Sequence, residues 1–210
     1  ASCLVGSEMC IRDSLWSHFF KSPRKNYNPY MFRLLDYPEY IIYDKKIMDS
    51  YKGKWHEFFG NDNPIYLEIG SGSGNFAQGM AKRYPERNHM GLELRFKRLV
   101  LSANKVKRDG STNALFLRRR GEEILEFVAE NEVDGIYVNF PDPWEENEKN
   151  RVVQESFFKT LDVILKKGGM FYFKTDHDKY YQDVIDLVES LDGYRVVSVS
   201  YTHLRAHETR

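Results

Sequence analysis

Short apolar runs that alternate with helically spaced stretches constrain this chain more than any other feature. The runs cover residues 65–69, 89–94, 114–117, 135–140 and 170–174. Between the first two, Phe76, Met80 and Tyr84 fall four apart and Pro85 stops the pattern, which predicts a helix over 75–84. Phe96, Leu99, Val100, Ala103 and Val106 mark a second helical stripe, and residues 122–130 a third helix. Val153, Phe157, Leu161 and Ile164 predict a fourth, ended by Gly168-Gly169. Tyr181, Ile185 and Val188 predict a fifth, ended by Gly193. A strand followed by a helix and another strand returns parallel, because the helix carries the chain back to the end where the first strand began. The run GIYVNF (135–140) is continuously apolar, as a strand covered on both faces must be. The predicted fold is therefore α/β, a doubly wound Rossmann-like parallel sheet without internal repeat or linker.

Hydrophobic residues make up 41% of the 210 and aromatics 15%, enough for a packed core and too many for disorder. No stretch approaches the ~20 apolar residues of a membrane helix, so no membrane partner is expected and the location is read as cytoplasmic. Basic and acidic side chains balance at 31 each, which argues against bulk polycation binding to nucleic acid but leaves local basic faces open. One such face lies opposite the second apolar stripe: Arg95, Lys97, Arg98, Lys105, Lys107 and Arg108. With the triplet Arg118-Arg119-Arg120 it serves either as a solvated surface or as a set of phosphate contacts.

The ends read differently. Residues 3–14 (CLVGSEMCIRDS) and 199–209 (VSYTHLRAHET) are translations of opposite strands of one DNA segment that resembles a transposon-type sequencing adapter. We therefore expect 1–14 and 199–210 to be adapter-derived and set them aside in fold reasoning, with the native chain cut short at both ends. Cys3 and Cys10 are the only cysteines and fall in the first segment, so disulfides, Cys-ligated zinc and cysteine nucleophiles are not expected. Residues 15–50 form an aromatic and basic arm broken by Pro23, Pro29 and Pro38. It carries one short helix and either packs over the sheet or meets RNA.

Ligands of a doubly wound sheet bind beyond the carboxyl ends of its strands. The first run ends there as Glu68-Ile69-Gly70-Ser71-Gly72-Ser73-Gly74. Alternate glycines allow a sharp turn and close approach to a ligand, and the helix beyond offers free N–H groups. Gly72, Gly74 and Ala77 also fit the G-x-G-x-x-A pattern, so glycines alone do not exclude NAD. Glu68 argues against it: a carboxylate before the loop repels a pyrophosphate and attracts the sulfonium and ammonium groups of S-adenosylmethionine. The other use of such a carboxylate is local, as acceptor for neighbouring N–H groups. Glu93, ending the second run, suits the two hydroxyls of a ribose with either cofactor. The fourth run ends Asn139-Phe140-Pro141-Asp142-Pro143-Trp144. Its two prolines fix φ around Asp142 and hold the carboxylate on a stiff loop, while Trp144 is either a plate for a stacked base or a core side chain.

Five stretches taken together, YKGKW (51–55), FGNDNPIYLEIGSGSGNF (59–76), GLELR (91–95), NFPDPW (139–144) and FKTDH (173–177), resemble the bacterial tRNA (guanine-N7)-methyltransferases over most of residues 51–198. The resemblance implies a class I methyltransferase domain over 51–198, with its C-terminal strand pair truncated. It implies S-adenosylmethionine as cofactor, tRNA as partner, no metal, and methylation of guanine N7 in the tRNA variable loop, and it leaves monomer and homodimer both open. By the same likeness Glu68, Gly70, Gly72, Glu93 and Asp142 bind the cofactor, Asp142 is catalytic, and Asp176, Lys149 and Arg151 meet the substrate. Three departures stand out. The family's basic run after the tryptophan is replaced by the acidic Glu145-Glu146-Asn147-Glu148. An acidic adenine contact after the third run is replaced by Arg118-Arg119-Arg120-Gly121. A C-terminal Thr-x-x-Glu is missing.

Guanine N7 carries a lone pair and no proton, so its methylation needs no general base. Alignment and carboxylates that accept from the guanine pairing edge, Asp142 and Asp176, are the expected means; His177 as a base is the rival idea. Two other functions remain in view. An NAD-linked oxidoreductase is opposed by Glu68 and by the lack of a Tyr-x-x-x-Lys. A catalytically degenerate tRNA-binding protein is favoured by the acidic run and the arginine triplet.

Overall fold

The computed structural model describes residues 28–200. Lys21, Arg24 and Lys25 of the arm, the first adapter-like segment and residues 201–210 lie outside the described residues. The strands in chain order are β1 (Ile41–Ile42), β2 (Ile65–Ile69), β3 (Asn88–Leu92), β4 (Ala114–Leu117), β5 (Val133–Asn139) and β6 (Leu165–Lys174). They form one sheet in the order β1-β4-β3-β2-β5-β6, and every neighbouring pair is parallel. The chain runs from β2 outward to β4, then jumps back across β2 to β5. Between β2 and β5 the winding direction reverses, which opens a crevice at their carboxyl ends.

Among the described residues eight α-helical segments accompany the strands: α1 (Pro29–Phe32), α2 (Lys45–Ser50), α3 (Trp55–Phe59), α4 (Asn75–Arg83), α5 (Phe96–Asp109), α6 (Ile124–Phe127), α7 (Glu155–Ile164) and α8 (Asp178–Ser190). Alternation of side chains along the strands sends Leu67, Met90, Leu92, Ile136 and Val138 to one face, into a core with Trp55, Phe127, Phe158, Leu161 and Tyr180. The opposite face packs Ala114 and Phe116 against Ala77, Ala81, Leu99, Val100, Ala103 and Val106. The sheet is doubly wound, as the alternation predicts.

Three elements differ from expectation. The arm supplies more than one short helix: α1, a 3-10 turn over Arg33–Asp36, the edge strand β1 and α2. Leu34, Tyr37 and Ile41 join the second core, so the described part of the arm packs over the sheet. The helix expected over 122–130 is only a 3-10 turn, Gly121–Glu123, followed by α6. Gly168-Gly169 does not end α7, which stops at Ile164 and passes directly into β6. Gly168 instead has φ +80° where the β5–β6 register slips between Val133 and Gly135, a bulge that glycine accommodates at no steric cost. Among the described residues no strand follows β6.

The YKGKW stretch is an anchor. Trp55 is fully buried, its indole donates to the Phe127 carbonyl at 2.9 Å, and Glu132 accepts from the N–H groups of Gly53 and Trp55 at 3.0 and 3.2 Å.

Candidate cofactor and substrate site

Gly70, Gly72 and Gly74 all take left-handed φ, at +74°, +57° and +73°, so the turn after β2 folds back on itself twice before α4 begins. The loop is tied to its neighbours: Ser71 N–H donates to the Leu92 carbonyl at 2.8 Å. From α5, Lys105 Nζ donates to the Ser73 carbonyl at 2.8 Å and to Asn75 Oδ1, and Ser102 Oγ lies 3.3 Å from the Gly72 carbonyl. A Cβ on Gly74 would fall 2.6 Å from that of Ser102, so glycine lets α5 press against the turn. Lys105, expected on the RNA-facing side, instead spends its ammonium on the loop.

Beneath this turn Glu68 is buried, 5% exposed. Its Oε1 accepts from Asn139 Nδ2 at 3.0 Å, and its Oε2 is buried without a hydrogen-bond partner among the described residues. Burial raises the Glu68 pKa to about 7, against a smaller opposing effect of Asn139. A half-satisfied carboxylate under a backbone cradle is costly unless a cationic or hydrogen-bond-donating group completes it. Local N–H groups do not supply that completion here.

Glu93 is also buried, at 8%, but it is engaged. Oε1 accepts from the N–H groups of Leu94 and Arg95, both at 2.8 Å, and Oε2 lies 3.4 Å from Arg98 Nη1. It borders a cavity of about 340 Å³ lined by Gly70, Arg98, Arg120, Gly121 and Glu122 among others. The arginine triplet divides. Arg119 is buried, with Nη2 3.1 Å from Asp49 and paired to Glu126, and Nε 2.9 Å from Glu123. Arg118 lies over the Phe96 ring at 4.2 Å and donates to the Leu94 carbonyl. Arg119 thus fastens α2 to α6 rather than reaching RNA, while Arg120 is exposed at the cavity rim.

The second half of the site follows β5 and β6. Phe140 leaves β5 with φ +50°, and Trp144 has φ +44°. Such values are uncommon for aromatic residues and gather at functional loops. Both rings are exposed, at 52% and 43%, so Trp144 is not a core side chain. Asp142, exposed between them, accepts the Trp144 N–H at 3.3 Å. Asp176 is exposed just beyond β6. His177 caps α8 by accepting the Tyr180 N–H on Nδ1 at 3.0 Å, and its Nε2 lies 3.2 Å from Glu145 Oε1. With Nδ1 occupied as acceptor and Nε2 facing a carboxylate, neither ring nitrogen is available as a base. Lys149 is exposed on the loop. Arg151 is not: it is 6% exposed and bonded to Pro143, Asp183 and Glu148, so its guanidinium faces protein and not a substrate.

A family model described as "Putative methyltransferase" matches residues 62–207. The chain belongs to this methyltransferase family. It is 60% identical over 183 residues to a "Bifunctional glycosyltransferase/methyltransferase" of Fusobacterium nucleatum, covering 87% of this chain and 29% of that protein. To a "tRNA (guanine-N(7)-)-methyltransferase" of Enterococcus faecalis it is 41% identical over 148 residues, 70% of this chain and 68% of the relative. A protein of the same description from Bacillus subtilis is 41% identical over 131 residues, 61% of each. The chain therefore spans under a third of the first relative and about two thirds of the other two. The sheet order from β4 to β6 is that of the class I methyltransferases, with β1 added at one edge, and the family implies a methyl donor of the S-adenosylmethionine type.

Four residues that shape the site of this methyltransferase carry roles the sequence did not assign: Lys105 was expected among the phosphate contacts, and the other three had no role of their own. Asn139 links the aspartate loop to Glu68, and Ser102 and Lys105 hold the glycine turn from α5. Phe140 is the fourth. Asn139 and Phe140 lie inside NFPDPW, so the motif was itself the available signal. Ser102 and Lys105 have no local signature, because their role exists only once α5 is packed. Among the described residues no group of three His, Cys, Asp or Glu side chains is arranged to hold a metal, and no helix is long and apolar enough to cross a membrane.

Proposed function

We propose that this chain binds S-adenosylmethionine at the glycine turn and methylates N7 of a guanine in the variable loop of tRNA, in the cytoplasm. The observation that carries the reading is the buried, unpartnered oxygen of Glu68 under the left-handed glycine turn. A carboxylate there fits an ammonium or sulfonium and repels the pyrophosphate of NAD. Gly70 and Gly72 would line the donor's backbone cradle and Glu93 its ribose, with Asp142 at the edge shared with the substrate. When bound, the donor supplies a methyl group on a cationic sulfur.

The rest is the work of the chain's own residues. Asp142 and Asp176 accept hydrogen bonds from guanine N1–H and its exocyclic amine, which turns N7 inward. The exposed rings of Phe140 and Trp144 offer faces on which a base can stack, and Lys149 extends the surface toward phosphate. N7 has no proton to lose, so the engagement of both His177 nitrogens costs the reaction nothing. The relatives described as tRNA (guanine-N(7)-)-methyltransferases support this substrate choice.

Calorimetry with S-adenosylmethionine and with NAD tests the donor: binding of the first alone is expected, and binding of NAD alone overturns the reading. Transfer of labelled methyl to tRNA, with mapping of the modified base, tests the reaction. Donor binding with no transfer to any tRNA would favour the inactive tRNA-binding protein instead.

A further inference from the structure

A network between the aspartate loop and α8 has no part in the proposed chemistry. Arg151 sits at its centre, almost wholly buried. Its Nε donates to the Pro143 carbonyl at 2.7 Å, Nη1 to Asp183 Oδ2 at 2.7 Å and Nη2 to Glu148 Oε1 at 3.2 Å. The guanidinium lies 4.5 Å from the centre of the Tyr180 ring, and the Tyr180 hydroxyl accepts the Val153 N–H at 3.0 Å. Lys179 reaches the same two carboxylates, at 2.6 Å from Glu148 and 2.9 Å from Asp183. His177 adds a second tie to the loop through Glu145 at 3.2 Å.

Pro143 directly follows Asp142, and the loop around them is strained. Phe140 and Trp144 both sit at positive φ, a geometry that persists only where surrounding contacts over-determine it. Proline carbonyls still accept hydrogen bonds, and one from a charged donor out of water is among the stronger neutral-acceptor bonds a protein can make. Tyr180 and Asp183 belong to α8, the helix that begins two residues after Asp176. The grip on Pro143 and the foothold on α8 therefore join the segments that carry the two candidate base-holding carboxylates.

We infer that Arg151 is a positioning residue that sets Asp142 relative to Asp176 by clamping the Pro143 carbonyl onto α8. Glu145 and Glu148 brace this clamp, which gives the acidic run that departs from the family pattern a purpose inside the protein. The inference rests on the methyl-transfer reading for its effect on rate, but not for its effect on the loop.

The test uses the full chain with Arg151→Met, which removes charge and fork, and Arg151→Lys, which keeps the charge alone. Misplacing an aligned group by an ångström costs up to about a hundredfold. The expected result is a fall in kcat of that order for Arg151→Met, with a partial return for Arg151→Lys. KM for tRNA and calorimetric affinity for S-adenosylmethionine should be unchanged. Incorporation of 5-fluorotryptophan gives a readout without substrate: the 19F line of Trp144 should broaden or split in Arg151→Met while that of Trp55 stays put. A wild-type kcat with a sharp Trp144 line overturns the inference, and so does an equal loss of donor affinity and kcat, which would mark a general structural role. If Arg151→Met does not fold, the pair Asp183→Asn and Glu148→Gln removes the foothold instead, and unchanged kcat there overturns the inference as well. Should wild-type protein transfer no methyl group to tRNA, the proposed function fails while the fluorine signal still decides the clamp.

Discussion

The two halves of the sheet rim hold their carboxylates in opposite ways. On the β2–β3 side Glu68 and Glu93 are 5% and 8% exposed, fixed below backbone turns. On the β5–β6 side Asp142 and Asp176 stand exposed on short loops. The strands repeat the contrast: every residue of β3 and β4 is buried, and none of β6 is. Under the proposed function the contrast has a reason: a small donor can be enclosed, so residues that bind it can be buried in advance and shaped by desolvation. A base carried on a large nucleic acid must arrive at the surface, so its ligands stay accessible and their precision must come from loop stiffness. The prolines, the strained aromatics and the Arg151 clamp supply that stiffness.

The strongest way to break this comparison is Asp142→Ala. Asp142 is exposed and, among the described residues, its side chain makes one bond, the 3.3 Å contact with the Trp144 N–H, so its loss should leave the thermal midpoint nearly unchanged. Methyl transfer should fall by at least ~10²-fold, the scale on which alignment acts. A melting curve beside a labelled-methyl assay checks both halves, and retained activity would remove Asp142 from its role.

Glu68→Gln should show the reverse mixture, a loss of binding with a gain of stability. The folded pKa of Glu68 is about 7 against its ordinary 4.5. Between those values the folded chain binds more protons than the unfolded one, so this residue's contribution falls as pH rises through the window. The full loss above pH 7 is on the order of 3 kcal/mol. His89 runs the other way. Burial, followed by the Arg87 charge, holds it near 4 instead of 6.5, so its contribution rises with pH across 4 to 6.5. The two largely cancel in wild type. Glu68→Gln should unmask the histidine, its stability advantage over wild type growing from pH 4.5 to 7 in urea titrations. Donor affinity should drop by at least tenfold, and in wild type it should climb as pH passes about 7 and the carboxylate ionises. A variant with unchanged donor affinity would sever Glu68 from the cofactor.

Gly74→Ala tests the enclosed half through its backbone. The added Cβ would overlap Ser102 and sit at φ +73°, costing about 1–3 kcal/mol. Adding Ser102→Gly removes the clash with the Ser102 side chain but leaves its Cα 2.9 Å from the new Cβ, so it should return only part of the steric loss and leave the backbone strain. Full recovery in the double variant would mean that the positive φ is not costly there.

How much of this was legible in the sequence follows the same division. The parallel sheet, the glycine turn and the ends of β2 and β5 could be read from periodicity and from NFPDPW, because these features are local, whereas β3 stops at Leu92, two residues before the run read from sequence. The β1 edge strand was not, since two residues carry no period, and the α7–β6 junction was misplaced because Gly168 marks a bulge and not a helix end. Charge proved the least readable property. Arg119, Arg151 and Lys105 look like candidates for phosphate, yet tertiary packing turns all three toward carboxylates or carbonyls of the protein itself. Sequence spacing places a charge on a helix face or a loop; it does not say which partner reaches it first.

That distinction yields the smallest predicted effect, along α5. Lys107 and Arg108 are exposed on the helix, and removing either should weaken tRNA binding only a few-fold while lowering the slope of log affinity against log salt by about one. Lys105, two residues away, should behave as part of the enclosed half. Its bonds to Ser73 and Asn75 hold the glycine turn, so Lys105→Ala should loosen donor binding and leave the salt slope intact. Filter binding across a salt series, beside donor calorimetry, reads both quantities. A Lys105 variant that lowers the salt slope like its neighbours would mean that the lysine reaches RNA and that the two sides of the rim are less separate than their burial implies.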